Sequence, residues 1–164
     1  MTRLTVKQTD ILKLVVSIVV CQGAGAIGSV FTREAIPTWY ATLEKPAFNP
    51  PNSLFFPVWI TLYVLMAVSA FLVWRRGLGS PGVKMALVMF VVQLVLNALW
   101  SVVFFGLECP LCGVIVILVL WLAIVGTVVT FSRISRSAAA LLVPYLLWVT
   151  FASVLNISIW LLNP

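Results

Sequence analysis

Residues 39–63 read WYATLEKPAFNPPNSLFFPVWITLY, and the reading of this stretch decides the fold. Its first half is polar and rich in proline, while its second half is already an apolar helix. Pro46, Pro50, Pro51 and Pro57 fall within it, beside Glu44 and Lys45. Each proline fixes its own φ and pushes the residue before it toward extended backbone, so Lys45-Pro46 and Asn49-Pro50-Pro51 form a stiff, non-helical strap. Trp39 and Tyr40 fit a short helix before the strap. Pro57 is expected in the first turn of the helix that follows, where a missing N–H costs little. A stretch of this kind is a shaped lid, and the rest of the chain supplies what it covers.

Outward from the lid the chain is almost wholly apolar. Of 164 residues, 63% are hydrophobic and 9% charged, with a mean hydropathy of +1.18. Soluble domains carry roughly one-quarter charged residues, so this composition identifies an integral membrane protein. About twenty apolar residues are needed for each helical span. On that measure the spans run approximately over residues 11–31, 53–74, 83–105, 111–131 and 138–162. The expected fold is all-α: one domain, residues 1–164, built as a bundle of five transmembrane helices, with the long first loop capping a cavity. The charged start and Ala24-Gly25-Ala26 imitate a signal peptide, but the apolar run continues past them, so the segment reads as the first span. Cys21, Gly25 and Ser29, with Ala24 and Gly28, set small residues four apart; they read as close packing within the chain before a dimer seam.

The formal charge of +6 reflects topology. Arg3, Lys7, Lys13, Arg75, Arg76, Lys84, Arg133 and Arg136 fall on one side of the five spans, and only Arg33 and Lys45 on the other. The positive-inside rule then puts the N-terminus in the cytoplasm and the long loop outside, in a bacterial or archaeal cell membrane. Nucleic acid is not an expected partner. The span interiors hold no Asp, Glu or Arg and no central Lys, which argues against a proton-coupled pump or an ion channel.

Three helical stripes carry what chemistry there is. Gln93, Asn97, Trp100 and Phe104 share one face of the third span; Trp59, Tyr63 and Met66 share one of the second; Tyr145, Trp148, Ala152 and Asn156 share one of the fifth. Each stripe alone reads as core packing. Three such stripes with amides, beneath a Trp- and Pro-rich lid, read as an apolar ligand cavity with a few fixed polar groups. The ligand that fits is flat and largely apolar with one wet edge: indole and phenol rings stack on it, Asn97 and Gln93 offer hydrogen bonds, and Arg33 and Lys45 at the rim meet carboxylates.

The run W-Y-x-x-L-x-K-P-x-x-x-P-P, then F-x-P-V-W-x-x-L-Y, resembles the tryptophan-rich sensory protein family, whose animal member is the translocator protein or peripheral benzodiazepine receptor. The resemblance continues at Gln93, Asn97, Trp100, Phe104 and Phe105 and at Pro144, Tyr145, Trp148, Ala152 and Asn156, covering roughly residues 20–160. It implies binding of porphyrins such as protoporphyrin IX and of synthetic isoquinoline and benzodiazepine ligands, in a role of tetrapyrrole sensing, transport or turnover. It places the pocket on Tyr40, Pro50, Trp59, Tyr63, Asn97, Trp100, Trp148, Ala152 and Leu155. It also implies, as an alternative, a catalytic role for Trp59 and Trp148 in light- and oxygen-dependent porphyrin breakdown; a passive transporter of tetrapyrroles or sterols is the other alternative. The cholesterol pattern of the animal members fails here, because no basic residue follows Arg136. A homodimer is expected.

No cofactor and no metal are expected. The sequence has no His, and Cys109-Pro-Leu-Cys112 has no second pair to complete four zinc ligands. Unpaired thiols are the preferred reading of Cys109 and Cys112, with a local disulfide as the alternative.

Overall fold

The computed structural model describes residues 8–164. Arg3 and Lys7, which entered the charge comparison, lie outside the described residues. Six helices follow one another: α1 (Gln8–Ala35), the short α2 (Trp39–Thr42), α3 (Asn52–Trp74), α4 (Val83–Ser101), α5 (Pro110–Ser132) and α6 (Arg136–Leu162). No strand occurs among the described residues. Five of the helices are long and apolar enough to cross a membrane, with mean hydropathy of 2.0 to 2.9 in their most apolar stretches. In hydrocarbon every backbone N–H and C=O must be satisfied inside the segment, so runs this apolar have the helix as their solution. The outward faces stay apolar, with Leu12, Val19, Met85, Val95, Leu122 and Leu147 all exposed. A soluble protein does not bare such a surface; this is an integral, multi-pass membrane protein.

The spans close into a ring in which α1 meets α3, α3 meets α6, α6 meets α5, α5 meets α4, and α4 returns to α1. Half of the ring is solid. At the end away from the lid, Val73, Val83, Ala86, Phe131, Ala138 and Leu142 are buried, Phe90 stacks on Phe131 at 5.8 Å, and Ser69 Oγ donates to the Ala138 carbonyl at 2.7 Å. The other half is hollow beneath the strap.

Several local features set that hollow end. α1 runs a turn beyond the expected boundary at residue 31, because Thr32 Oγ1 bonds back to the Gly28 carbonyl and Arg33 lies in the last turn, where a cation complements the helix dipole. At 28 residues α1 is about 42 Å long, against an apolar thickness of about 30 Å, so Arg33 and Glu34 project beyond the hydrocarbon. α3 starts at Asn52, with the Leu54 N–H on the Pro51 carbonyl. Pro57 therefore sits in the second turn and not the first: the Pro50-Pro51 pair ends the strap early and the helix begins directly after it. α4 ends in a π-helical turn, Val102–Gly106, closed by the Leu107 N–H on the Val102 carbonyl.

The preferred reading of Cys109 and Cys112 is corrected, because the structure joins them in a disulfide. Cys109 caps α5, Pro110 opens its first turn, and residues three apart there come to a Cα separation of 5.3 Å, within bridging range. Cys21 is a free, fully buried thiol.

Candidate ligand cavity

The strap is held down at both ends of its polar run. Asn163, just past the end of α6, accepts from the Glu44 N–H at 3.0 Å and donates to the Glu44 carbonyl at 3.0 Å. Tyr40 on α2 is 3% exposed; its hydroxyl donates to Asn49 Oδ1 at 2.9 Å, and its ring packs on Phe104 and Phe105. Burial pushes the Tyr40 hydroxyl up to about 12. A neutral phenol is thus the working form, and it acts as a hinge pin between α2 and the strap.

Beneath the lid lies a cavity of about 680 Å³, within the range of roughly 300–1,000 Å³ usual for small-molecule sites. Its wall comes from the C-terminal half of α1, from α2, from the first three turns of α3, from the end of α4 and from the second half of α6; α5 contributes nothing. Trp59 lies 5.5 Å from Tyr63 and 6.4 Å from Tyr145, Phe55 meets Trp148 edge to face at 6.2 Å, and Trp100 stacks on Phe104 at 5.4 Å. These rings present flat apolar faces with indole N–H groups at their edges. Arg33 stands in the wall, exposed, and no carboxylate pairs with it among the described residues. Ala26, Ser29, Phe56 and Ile60 also belong to the wall and are exposed, so the cavity reaches the lipid-facing surface between α1 and α3.

Of the residues anticipated from sequence, Tyr40, Trp59, Tyr63, Trp100, Trp148, Ala152, Leu155 and Arg33 line this cavity. Asn97, Gln93, Pro50 and Lys45 do not. Asn97 is 2% exposed and stands behind Tyr63: its Oδ1 accepts from the Tyr63 hydroxyl, and its Nδ2 donates to the Tyr145 hydroxyl at 3.0 Å. It joins α3, α4 and α6 and sets the Tyr63 ring in the wall. Gln93 lies one turn deeper, 1% exposed, with neither amide atom hydrogen-bonded. Pro50 is held within the strap, its carbonyl accepting from Asn49 Nδ2 at 3.2 Å. Lys45 is turned back on the loop, where Nζ donates to the Leu43 carbonyl at 2.9 Å and lies 4.9 Å from the centre of the Tyr40 ring.

Other wall residues went unassigned from sequence. Gln22, Gly25, Ser29 and Thr32 form a stripe along α1, continued by Ile36 just past its end, whose spacing was legible but which reads as ordinary packing. It is packing in part. A Cβ on Gly25 would stand 2.5 Å from Tyr63 Cε2, and one on Gly28 would stand 2.9 Å from Ser101 Oγ, so both glycines serve contacts within the chain. Phe55 stands one helical turn before Trp59, a spacing that placed it on the same face. Asn156 was visible on the α6 stripe, and the structure gives it two bonds: Oδ1 accepts from Trp100 Nε1 at 3.0 Å, and Nδ2 donates to the Pro110 carbonyl at 3.1 Å.

Among the described residues no three His, Cys, Asp or Glu side chains come together to hold a metal. The wall offers stacking faces, amide and indole hydrogen bonds, and one guanidinium.

Comparison with known proteins agrees with this architecture. The TspO/MBR family model matches residues 17–161. The chain is 45% identical over 155 residues to the tryptophan-rich protein TspO of Chlorobaculum tepidum, covering 94% of this chain and 98% of that one. It is 46% identical over 154 residues to the protein of the same name from Archaeoglobus fulgidus, covering 94% and 99%. Similarity extends to the human translocator protein, 36% identical over 135 residues, with 82% and 80% covered. Five apolar spans in a ring, a proline strap over an aromatic cavity, and these matches over nearly the whole length show that the chain belongs to the TspO/MBR family.

Proposed function

We propose that this protein is a membrane receptor for flat, largely apolar tetrapyrroles of the protoporphyrin type, acting in their sensing, transport or turnover. The observation that carries the reading is the cavity of about 680 Å³ whose wall sets Trp59, Trp100 and Trp148 around one space and Arg33 beside its opening. Stacking on indole faces supplies affinity, and the guanidinium orients a propionate toward the headgroup region. The test is quenching of tryptophan fluorescence by protoporphyrin IX in the purified protein. Arg33→Gln should weaken binding by up to roughly fivefold, as expected for an exposed ion pair of at most about 1 kcal/mol. The dimethyl ester, which has no carboxylate, should bind both forms alike. No saturable quenching by either compound refutes the reading.

A degradative activity is the second reading, favoured by Trp59 and Trp148 lining the same space. Loss of porphyrin absorbance with a new product under light and oxygen, but not in the dark, and abolished in Trp148→Phe, distinguishes it from binding alone.

The charge distribution supports a cytoplasmic N-terminus and an extracytoplasmic lid in a bacterial or archaeal cell membrane. In a cysteine-free background, an impermeant thiol reagent applied to intact cells should label Lys45→Cys and spare Arg76→Cys; the reverse refutes that orientation. The reading includes a homodimer whose seam leaves Gly25 and Gly28 aside, since both face neighbours within the chain.

A further inference from the structure

The disulfide between Cys109 and Cys112 is placed against the wall of the cavity. Its ring encloses Pro110, whose carbonyl accepts from Asn156 Nδ2 at 3.1 Å; the same amide, through Oδ1, holds the indole N–H of Trp100 at 3.0 Å. Asn156 is 2% exposed, so its two bonds are made in a dry environment where neither is readily replaced by water. The residue after the ring, Gly113, closes the contact from the other side. A Cβ there would stand 2.7 Å from the Phe104 ring and 2.9 Å from Asn156 Oδ1, which shows how tightly the first turn of α5 is seated on the two residues that shape this part of the wall. Trp100 and Phe104 are stacked on each other, so they move as one plate.

The backbone leading into the ring is not at rest. Glu108 is the one non-glycine residue among those described with positive φ, at 51°, a left-handed conformation unfavourable for a side chain of its kind. The connection from Gly106 to Pro110 is three residues long, and the covalent staple from Cys109 to Cys112 holds its far end in register with the first turn of α5. Opening the ring would remove the covalent constraint on Cys109, the residue between Glu108 at positive φ and the Pro110 carbonyl that Asn156 holds. Both cysteines are half-buried and lie at the lid end of the bundle, Cys109 just before the span of α5 and Cys112 in its first turn, within reach of an attacking thiolate.

We infer that the Cys109–Cys112 disulfide is a redox control on the ligand cavity: closed, it fixes Trp100 in the wall through Pro110 and Asn156; reduced, it loosens that wall and weakens binding. This rests on the porphyrin-binding reading above for its ligand, though not for its mechanics. The reductant is a dithiol. A dithiol thiolate attacks one sulfur of the bridge, the Sγ–Sγ bond breaks through a mixed disulfide, and the second dithiol sulfur resolves it. Two electrons and two protons pass to Cys109 and Cys112, and the dithiol leaves as a disulfide. Asn156 lines the cavity and acts on the wall as a positioning residue, through its hydrogen bond to Trp100.

The experiment uses the full chain in detergent micelles, oxidised or treated with dithiothreitol; Cys21 is fully buried and the bridge is the target of the reagent. Two readouts are taken. The first is the ¹⁵N indole resonance of Trp100, assigned by its loss in Trp100→Phe, with Trp74 at the opposite end of α3 as internal control. The second is protoporphyrin IX affinity by fluorescence quenching. Reduction should shift the Trp100 resonance, leave Trp74 in place, and weaken binding by roughly three- to tenfold, the effect of one neutral hydrogen bond. The double variant Cys109→Ser/Cys112→Ser keeps a capping hydroxyl at the start of α5 and should resemble the reduced protein with or without dithiothreitol. Asn156→Leu should weaken the oxidised form and remove its response to reductant. An unmoved Trp100 resonance, or equal affinity in the two forms of a protein that does bind, overturns the proposal. A response that persists in the double variant also overturns it. If the resonance moves but neither form binds porphyrin, the coupling stands and it is the ligand assignment that fails.

Discussion

Replacing Gly25 with alanine tests the seam between α1 and α3 and the cavity together. The added methyl would stand 2.5 Å from Tyr63 Cε2 and 2.8 Å from Cδ2, where carbon atoms pack at about 3.5–4.0 Å. The Tyr63 ring must therefore retreat by about 1 Å. It is 7% exposed, bonded through its hydroxyl to Asn97 and backed by Trp59 at 5.5 Å, so the displacement is opposed on two sides. Overpacking of this kind costs about 1–3 kcal/mol, and the gain of alanine over glycine in a helix returns about 0.5–1. Taken at the middle of both ranges, the net loss is about 1.25 kcal/mol, or a fall in Tm of about 3–5 °C for a chain of this size. Because the ring moves toward Trp59 and into the cavity, porphyrin affinity should fall as well, by roughly tenfold for about 1.4 kcal/mol. Gly23→Ala is the matched control: a Cβ there meets nothing within 4 Å, so propensity alone operates and stability should hold or rise. Thermal unfolding in detergent and fluorescence quenching read both quantities. In the double variant with Tyr63→Ala the steric penalty should vanish, a coupling that a mutant cycle measures directly. If Gly25→Ala matches Gly23→Ala in Tm and affinity, the close approach of α1 to Tyr63 is not as described and the small-residue stripe needs another explanation.

Asn97→Leu removes the bonds to Tyr63 and Tyr145; at an average of about 0.6 kcal/mol for a polar pair inside a membrane, unfolding should shift by only about 1.2 kcal/mol, while porphyrin affinity falls indirectly as Tyr63 is released. A large loss of stability with normal binding in the folded fraction would show that Asn97 holds the bundle and not the wall. Asn163→Ala cuts both bonds to the Glu44 backbone and should speed cleavage after Glu44 by a glutamate-specific protease by roughly tenfold, with unchanged cleavage after Glu108; an unchanged rate after Glu44 refutes the clasp. Tyr40 gives a pH dependence. Its hydroxyl is raised from 10.0 to about 12 in the folded state, so docking of the lid does not vary through Tyr40 below pH 10, and it weakens from pH 10 to about 12 as the undocked form ionises first. Absorbance titration should show a phenol titrating near 12 that is missing in Tyr40→Phe, and its persistence there would contradict the assignment.

Some features of this protein are local and were readable from the chain. Five spans follow from runs of apolar residues long enough for a bilayer, since hydrophobicity and backbone satisfaction act on each segment separately, although α1 continues to Ala35, past the expected limit. The strap follows from Pro46, Pro50 and Pro51, which restrict the backbone whatever surrounds them. Helical periodicity likewise put Trp59 with Tyr63, and Trp148 with Ala152, on common faces. Periodicity states a face, however, and says nothing of depth or of the neighbour across it. Gln93, Asn97 and Trp100 share one face of α4, yet Trp100 reaches the cavity, Asn97 is screened by Tyr63, and Gln93 lies in the closed half of the bundle. Lys45 was near enough in sequence to serve the rim, but nearby carbonyls and the Tyr40 ring hold it on the lid. The cysteine spacing allowed a bridge or two thiols, and the choice depended on Pro110 opening α5 so that Cys109 and Cys112 meet across one turn. The joint holding Trp100 brings together Pro110 and Asn156, 46 residues apart. That pairing is decided by the way five helices close into a ring, a packing outcome set by all of their side chains at once and by no single stretch of the sequence.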